Sequence, residues 1–563
     1  MRIRGPRSAT RSRKIPKIEL NSTLNRGAAL ARFHDDEFDL AVIGGGINGA
    51  AVARDAAMRG LKVALVERGD FAGATSSRSS KLIHGGFRYL PQGQLRLVYT
   101  ALRERERLRH VTAPHLVHPI RFLFPVYRGR GFNRFTMAAG LTLYDLFARI
   151  PWAEWHSNLP AIEVREMEPA LSRESLTGGA LYYDAWADDA RVTFENVLDA
   201  DLHGAAVANY ASVEGFVKSG GKVAAAGVRD LIGGGTCELR AKHFLNASGP
   251  WVDAIRRLDD SSSSPCVRLT KGAHLVFART VLPVRESLVL ADEGGRIVFV
   301  MPHDRYVLVG TTDTDYSGEP ENVATEIADV AYLLGVLAES LPGIKLTGAD
   351  VASSFAGLRA LITAGASGGS PSSVTREEVI LKSASGLITV AGGKLTTHRE
   401  IAQKLVDLVM RELGRPRGTC PTLATPFPGA RTTRDLDRSA NDADILASLK
   451  SDAREILVAR YGNRAQIPAR IAVERAELAE PLARGCPALG AEVVHAVRNE
   501  MVHSIHDFLV RRTSLSWRYP VEAEAAAPAV AKIMATELEW DSARTDAELA
   551  SFTHEQQKRR VAV

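Results

Sequence analysis

Residues 38–70 read FDLAVIGGGINGAAVARDAAMRGLKVALVERGD, and this stretch decides the fold. An apolar run ends at a cluster of glycines, an alanine-rich amphipathic segment follows, and a second apolar run closes the stretch. That order predicts a buried strand, a tight turn, a helix and a second buried strand. We therefore predict a βαβ unit belonging to a parallel sheet.

The glycines of this unit have the spacing of a dinucleotide-binding turn. Their small size lets the backbone approach a diphosphate and lets the helix lie close to the sheet, while the start of the helix offers N–H groups to phosphate oxygens. Glu67 ends the second strand 23 residues after Gly44, where its carboxylate can accept hydrogen bonds from a ribose and would repel a 2′-phosphate. The alternative is a glycine turn that serves only close packing, but this alternative does not explain why an acidic residue, Glu67, ends the second strand. The candidate cofactor-binding residues here are Gly44, Gly45, Gly46, Asn48, Gly49 and Glu67.

Two later segments are predicted to return to the same sheet. Residues 242–253, KHFLNASGPWVD, form a short apolar strand that runs into Ser248 and Gly249. Residues 386–410, GLITVAGGKLTTHREIAQKLVDLVM, form a strand, a turn at Gly392 and Gly393, and a helix that begins near Leu395. The positive end of that helix favours an anion such as the N1–C2=O region of a reduced flavin, a feature that nicotinamide does not need.

Together with these segments, five further motifs resemble the FAD-dependent glycerol-3-phosphate dehydrogenases. They are TSSRSSKLIHGGFRYL at 75–90, KGAH at 271–274, GTTDTD at 310–315, FAGLRAL at 355–361 and VTREE at 374–378. The resemblance is ordered and runs from about Phe38 to the end of the chain. No EF-hand calcium loop of the kind found in mitochondrial members follows Gly429, so a bacterial-type enzyme is implied.

This resemblance implies an α/β fold similar to that of D-amino-acid oxidase. We expect a Rossmann-like FAD-binding domain, an inserted antiparallel β substrate domain and a C-terminal helical domain. The sequence RIVFVMPHDRYVLVGTT alternates as a β-hairpin does, with its turn at His303 and Asp304. The expected divisions are a basic flexible tail at 1–36, an FAD-binding domain at 37–110, 160–262 and 350–428, a substrate domain at 111–159 and 263–349, and a helical domain at 429–563.

Composition and charge argue against several other classes of protein. The chain has 563 residues and 4 cysteines in no C-x-x-C pair, which argues against a disulfide framework or a zinc site and favours a reducing compartment. Residues 1–34 carry nine Lys or Arg and one Glu, whereas the whole chain has a net charge of +6, so the remainder is slightly acidic. An RNA-binding role, suggested by the basic tail, is therefore not expected. We assign no metal site to His495, His503 and His506.

Oxidation of a secondary alcohol through flavin requires a hydride acceptor, a base for the hydroxyl proton and cations for a phosphate group. Guanidinium groups suit phosphate oxygens because they form paired hydrogen bonds. A charge in a loop is usually just solvated, but four stand at positions matched by the resemblance. The expected substrate-binding residues are Arg88, Tyr89, Arg359, Arg376 and Lys394, and Arg359 is also a candidate catalytic residue.

The stretch around residues 75–90 is expected to lie between cofactor and substrate. Its hydroxyl groups and glycines would face the cofactor, as would the later glycine turns; the residues are Thr75, Ser76, Ser80, Gly85, Gly86, Ser248, Gly249, Gly392, Gly393, Lys394 and Leu395. The resemblance places both His84 and His274 near the flavin, and imidazole titrates in the range a general base needs. We favour His274, while a purely orienting role is open for each.

The resemblance implies glycerol 3-phosphate as substrate, dihydroxyacetone phosphate as product and a membrane quinone as electron acceptor; an oxidase that passes electrons to oxygen is the alternative. It also implies a cytoplasmic protein bound peripherally to the inner face of the cell membrane, and leaves a homodimer open. No run of about 18 apolar residues predicts a transmembrane helix. One further segment has basic residues followed by apolar residues at helical spacing; the basic residues are Arg128, Arg130 and Arg134, and the apolar ones are Leu143, Leu146, Phe147 and Ile150. This segment could form either a helix on the membrane surface or a helix in the protein core.

Overall fold

Two sheets, with helices against them, form the part of the chain that the structure describes. The structure is a computed structural model and describes residues 24–90, 92–129, 133–292, 294–362, 378–431 and 442–560. The strands, in chain order, are β1 Glu37–Ile43, β2 Val63–Val66, β3 Leu82–Ile83, β4 Val117–Tyr127, β5 Ser157–Pro160, β6 Leu176–Ala187, β7 Ala206–Ala208, β8 Ala211–Ser219, β9 Lys222–Asp230, β10 Thr236–Asn246, β11 Val267–Ala278, β12 Ser287–Ala291, β13 Ile297–His303, β14 Tyr306–Gly310, β15 Thr314–Asp315, β16 Val351–Ile362, β17 Val379–Lys382 and β18 Ile388–Ala391. The helices are α1 Arg26–Asp35, α2 Ile47–Met58, α3 Leu95–Arg107, α4 Arg134–Ala148, α5 Ala161–Met167, α6 Asp189–Leu202, α7 Val252–Asp259, α8 Ile327–Ser340, α9 His398–Glu412, α10 Asp442–Ser448, α11 Ser451–Tyr461, α12 Gln466–Glu474, α13 Gly490–Asn499, α14 Leu515–Arg518, α15 Pro520–Leu538 and α16 Ser542–Arg559.

The first sheet contains the predicted βαβ unit. Its strands follow the order β17-β18-β10-β1-β2-β7, and β1 pairs in parallel with both β2 and β10. Strands β9 and β8 extend from β10 as an antiparallel hairpin. Apolar side chains of α2, α6 and α9 share one buried cluster with β1, β2 and β18. The carboxyl ends of β1, β10 and β18 therefore meet at one edge, where parallel sheets of this kind bind their ligands.

The second sheet is largely antiparallel and runs β15-β11-β14-β13-β12-β4-β6-β3, with β16 also paired to β11 and β5 to β6. β4 and β12 form a short parallel pair. The predicted hairpin is confirmed, since β13 and β14 pair in register from Phe299 opposite Gly310 to His303 opposite Tyr306. Helix α8 packs on the face of the sheet that carries Leu275, Val300 and Val309.

The sheet pairing differs from the predicted domain boundaries. We expected β6 and β16 in the FAD-binding domain, but β6 pairs along β4, with Tyr182 opposite Phe122, and β16 pairs along β11, with Arg359 opposite Thr270. Strand β3 also joins this second sheet. Because the hydrogen-bonded ladders of β6 and β16 are long, we propose that the substrate domain includes these two strands, together with the short β3.

The prediction of a flexible tail at residues 1–36 also extends too far along the chain. Residues 26–35, assigned to it because of their charge, form helix α1, in which Ala29 and Phe33 are buried against the first sheet. Arg26 fixes the start of this helix by donating to the carbonyl oxygens of Asn209 at 2.9 Å and Tyr210 at 3.0 Å. Residues 1–23 lie outside the described part of the chain.

Helices α10–α16 form the C-terminal region and contact the first sheet through buried ion pairs. Arg512 of this region binds both carboxylate oxygens of Asp70 at 2.8 Å, just beyond β2. Arg191 of α6 binds Glu500 at 2.8 Å. All four side chains are almost completely buried. Because a buried charge is costly without its partner, these pairs fix how the helical region sits on the first sheet.

Helix α4 buries one face in the core, and this face differs from the predicted stripe. Met137, Leu141, Tyr144 and Ala148 are buried, and the predicted stripe is split, since Ile150 is buried whereas Leu146 is 54% exposed. None of the helices in the described residues is both long and apolar enough to cross a bilayer.

Candidate active site

A cavity of about 1450 Å³ lies between the edge of the first sheet and the inner face of the second. Most of the predicted site residues line it: Gly44, Gly46, Asn48, Glu67, Thr75, Ser76, Ser80, His84, Gly86, Ser248, Gly249, His274, Arg359, Gly392, Gly393, Lys394 and Leu395. Gly45, Gly49, Gly85 and Tyr89 lie in its supporting layer. Arg376 and the side chain of Arg88 lie outside the described part of the chain.

The glycine turn between β1 and α2 forms the nucleotide end of this cavity. Gly44 has φ of +107°, and a Cβ there would come within 2.7 Å of the Ala247 carbonyl oxygen. A Cβ on Gly49 would overlap the Gly44 carbonyl oxygen. These two positions accept only glycine, so the turn brings the start of α2 close to the sheet at the edge of the cavity. A helix N-terminus placed there suits a phosphate group.

Glu67 is held at the end of β2 by the same turn. Its carboxylate accepts hydrogen bonds from the N–H groups of Gly45 at 2.6 Å and Gly69 at 2.7 Å. Burial nevertheless raises the pKa of Glu67, because desolvation of the carboxylate outweighs these two bonds. A carboxylate has lone pairs left to accept a ribose hydroxyl.

Hydroxyl groups after β2 tie this end of the cavity to both sheets. The Ser76 hydroxyl accepts from the Ile47 N–H at 2.9 Å, at the first turn of α2. The Thr75 hydroxyl donates to the Leu358 carbonyl oxygen of β16 at 2.7 Å. Asn48 donates from Nδ2 to the Gly392 carbonyl oxygen at 3.2 Å. Thr75 and Ser76, predicted to bind cofactor, thus also position the surrounding backbone.

Ser80, also predicted to contact the cofactor, lies against His274. The Ser80 Oγ and the His274 Nε2 are 2.8 Å apart, and the imidazole stacks on Phe355 with 4.8 Å between ring centroids. His274 is 2% exposed and lies against Gly310 of the neighbouring strand. Burial lowers the pKa of His274 well below its usual value, and the charges of Arg359 and Lys81 lower it further. This environment favours the neutral imidazole, which is the form that can accept a proton.

His84, the alternative base, lies at the same cavity in a different environment. Its backbone N–H donates to the Thr396 hydroxyl at 3.2 Å, and its ring contacts the edge of Phe299 with 6.4 Å between centroids. Thr396 follows the Gly392–Gly393 turn, so this contact joins the loop of residues 75–86 to the start of α9. Helix α9 begins at His398 after a short helical turn at Leu395–Thr397, slightly later than predicted.

Arg359 enters the cavity from β16, two residues beyond the point at which Gly357 opposes Gly272 of β11. Its guanidinium donates to the Asp313 carboxylate at 3.1 Å, the Thr311 hydroxyl at 3.2 Å and the Thr312 carbonyl oxygen at 3.3 Å. The side chain is 22% exposed. A cation so oriented and partly open to solvent can bind a phosphate group.

The remaining predicted residues surround the glycine turns. The Lys394 ammonium lies 4.0 Å from the centroid of the Tyr89 ring, which is buried. The Ser248 hydroxyl donates to Asn246 at 2.6 Å, and Gly249 follows it in a left-handed conformation. Lys394 and Tyr89 thus act as one unit beside Gly86.

Sequence reasoning missed a buried group that supports Gly85. The Gly85 N–H donates to the Tyr144 hydroxyl at 2.9 Å, and that hydroxyl donates to Asp184 at 2.7 Å. Arg105 donates to the same Asp184 oxygen at 2.7 Å. These residues come from α3, α4 and β6, far apart in sequence, so no local motif marks them. Their contacts fix the Gly85–Gly86 backbone at the cavity.

Comparison with known proteins places this geometry in a family. The family described as FAD dependent oxidoreductase matches residues 39–399, and the C-terminal domain of alpha-glycerophosphate oxidase matches residues 420–545. The aerobic glycerol-3-phosphate dehydrogenase of Bacillus subtilis is 35% identical over 536 residues, covering 92% of this chain and 95% of that protein. The aerobic glycerol-3-phosphate dehydrogenase of Staphylococcus haemolyticus is 36% identical over 509 residues, covering 87% of this chain and 89% of that protein.

The chain belongs to the aerobic glycerol-3-phosphate dehydrogenase family. A solved relative agrees: the glycerol-3-phosphate dehydrogenase of Bacillus halodurans, complexed with FAD, has 31% identity and a TM-score of 0.78, and the match covers 96% of this chain and 98% of that one. The predicted family and fold class are thereby confirmed.

The residues present fit the FAD that this family uses. The start of α2 offers N–H groups to a diphosphate, Glu67 ends β2 where a ribose would lie, and the cavity is large enough for a dinucleotide. The buried Asn48 Oδ1 has no hydrogen-bond partner among the described residues, as expected of an atom that faces a ligand.

We expect Gly49→Ala to lose FAD. The added methyl group would overlap the Gly44 carbonyl oxygen and push α2 away from the diphosphate. The matched control is Gly335→Ala in α8, where an added Cβ meets nothing within 4 Å, so flavin content should be unchanged and the helix stabilised by up to about 1 kcal/mol. The measurement is flavin absorbance per mole of purified protein; a Gly49→Ala protein with full flavin content would contradict the expectation.

Proposed function

We propose that this chain oxidises sn-glycerol 3-phosphate to dihydroxyacetone phosphate with FAD and passes the electrons to a membrane quinone. The observation that carries the proposal is that Arg359 and the neutral, buried His274 face one cavity whose other end has the dinucleotide-binding turn. A phosphate site and a base beside a flavin site are what this oxidation requires. The names of the relatives support the same substrate.

FAD, when bound, supplies a hydride acceptor at N5 of its isoalloxazine ring. Arg359 would hold the substrate phosphate, with Arg88, Arg376 and Lys394 as the other proposed cations. His274 would take the hydroxyl proton onto its imidazole, and Ser80 would orient that ring through the contact at 2.8 Å. The second sheet and its buried aromatic side chains keep water from the base.

Anaerobic addition of glycerol 3-phosphate to the yellow protein tests the reaction. We expect the flavin absorbance to bleach, and we expect a soluble quinone to restore it faster than air does. A protein that is not bleached would contradict the substrate assignment. Rapid reoxidation by air with formation of peroxide would indicate that oxygen, rather than a quinone, is the electron acceptor.

The pH dependence should reveal the coupling between the base and the phosphate site. His274 must be neutral to accept a proton, so activity falls as the pH drops through its pKa. In the free enzyme that pKa lies well below 6.5, because of burial, Arg359 and Lys81. A bound phosphate dianion offsets the charge of Arg359 and raises the pKa. We therefore expect the acidic limb of kcat at a higher pH than the acidic limb of kcat/KM.

The variant His274→Asn tests whether His274 is the general base. It should remove the acidic limb and lower kcat by about 10²- to 10⁴-fold with flavin retained. His84→Asn, the matched variant at the other imidazole, should keep the limb and lose less than about tenfold. If the two variants exchange these behaviours, His84 is the base.

Arg359→Ala should lower kcat/KM for glycerol 3-phosphate by about ten- to a hundredfold, because one charge-assisted bidentate contact is worth about 1.5 to 3 kcal/mol. The weak activity on uncharged glycerol should change far less. Arg268→Ala, on the neighbouring strand β11 and paired with Asp315 at 2.5 Å, is the matched control. Equal losses on both substrates, or a colourless protein, would assign Arg359 to the cofactor or the fold.

We infer that the surface of α3 and α4 binds the inner face of the cell membrane, where a quinone is accessible. Large apolar side chains are exposed there; they are Leu95, Tyr99, Phe135, Leu146 and Trp152. Phe135 is 88% and Trp152 is 78% exposed. The exposed cations Arg96 and Arg149 accompany them. Apolar groups beside cations suit the headgroup region of an anionic membrane.

Vesicle sedimentation with anionic phospholipids tests this surface. We expect Phe135→Ser/Leu146→Ser/Trp152→Ser to lose most of the vesicle-bound protein while keeping bleaching by substrate in solution. The matched control is Leu231→Ser/Ile232→Ser, which removes similarly exposed apolar groups from the β9–β10 turn. Equal retention of the wild-type protein, the triple variant and the control variant on vesicles would exclude α3 and α4 as the membrane surface.

The homodimer left open by the sequence stays a prediction.

A further inference from the structure

A second cavity, of about 320 Å³, shares Ser80 with the wall of the candidate active site. It is partly open to solvent and is lined by β4, β6, β12 and β13 of the second sheet and by Trp517 of α14. Its volume lies in the range of small-molecule sites, about 300 to 1000 Å³. The reaction proposed above makes no use of it.

The lining of this cavity carries an excess of positive charge. Lys81, Arg121, Arg279 and Arg285 line it, against the single acidic group of Glu286. Arg121 is paired with Glu286 at 2.6 Å and Lys81 with Asp189 at 2.6 Å. In the part of the chain that the structure describes, Arg279 and Arg285 are exposed and form no ion pair. Arg279 donates a long hydrogen bond, 3.4 Å, to the Asp304 carbonyl oxygen, so both guanidinium groups keep N–H groups for an anion.

The floor of the cavity is aromatic. The Trp186 and His303 rings meet edge to face with 4.1 Å between centroids, and Trp517 is 5% exposed. Among the described residues, the Trp517 Nε1 and the His303 Nε2 have no hydrogen-bond partner. Aromatic rings of this kind pack well against another planar ring, so a ligand with an aromatic group suits this floor.

We propose that this cavity binds a small organic anion with a planar aromatic group, and that the bound anion slows the reaction through Ser80 and Lys81. Lys81 lies in the left-handed region, and its ammonium binds Asp189 and the Ser77 carbonyl oxygen. An anion beside Lys81 competes with Asp189 for that ammonium. The loop then loosens, and with it the Ser80 hydroxyl that orients His274. This kinetic link, unlike the binding itself, rests on the proposed function.

Calorimetric titration of the FAD-loaded protein with phenyl phosphate tests the site. Inorganic phosphate supplies the charge without the ring, and phenol the ring without the charge. We expect phenyl phosphate to bind more tightly than either. Arg279→Ala/Arg285→Ala should weaken its binding by about tenfold, whereas Arg359→Ala should leave this binding in place. The matched control, Arg229→Ala/Arg240→Ala on β9 and β10, removes two exposed arginines elsewhere and should change nothing.

Unchanged affinity in Arg279→Ala/Arg285→Ala, or loss of all binding in Arg359→Ala, would overturn the proposal, because the probe would then occupy only the substrate site. In kinetics, phenyl phosphate should lower kcat in the wild-type protein and act only competitively in Arg279→Ala/Arg285→Ala. Purely competitive inhibition of the wild type would overturn the link to Ser80. The binding results decide the site even if glycerol 3-phosphate is not the substrate.

Discussion

The segment from Thr75 to Gly86 hydrogen-bonds to both sheets and sets the geometry of the whole candidate site. Its first hydroxyls reach the start of α2 and the Leu358 carbonyl oxygen of β16, and Ser80 reaches His274 on β11. The nucleotide end and the proposed base are therefore connected by a few short contacts in one stretch of chain. Reacting groups must be held to within about 0.5 Å, and side chains on two independent sheets would not keep that tolerance without such a connection.

The C-terminal helical region contributes to this geometry through charge. Asp70 lies just beyond β2 and Glu67, and Arg512 binds both carboxylate oxygens of Asp70 in a fully buried pair. The two Arg512 contacts, together with Arg511, hold the pKa of Asp70 below its usual value. A buried pair of this kind adds little net stability, but either charge left alone is strongly unfavourable. The helical region is thereby held in one position against the nucleotide end, which suits a site whose parts come from distant segments.

Local patterns predicted those parts of the fold in which neighbours in sequence are neighbours in space. The βαβ unit and the β13–β14 hairpin follow from periodicity and turn residues. The pairing of β6 with β4 and of β16 with β11 could not be predicted, because these partners are distant in sequence. Helix α1 was missed because the charge of the tail outweighed the apolar pair Ala29 and Phe33. In the site, motifs marked Ser80, His274 and Arg359, but no pattern in one sequence pairs Ser80 with His274 or places Asp184 beneath Gly85.

The contact between Arg359 and Asp313 explains how the guanidinium can keep one position both without substrate and with the proposed substrate phosphate bound. Without substrate, a partly buried cation near the almost fully buried His274 would be costly, and the Asp313 carboxylate at 3.1 Å reduces that cost. The Thr311 and Thr312 oxygens hold the same guanidinium from the neighbouring chain segment. A phosphate dianion carries more charge than one carboxylate and can share the guanidinium with Asp313, so the side chain need not reorient on binding. Arg359 also lowers the pKa of His274. In the proposed mechanism, substrate binding and the basicity of the imidazole are therefore coupled through one side chain, and a molecule without the phosphate group forgoes both effects.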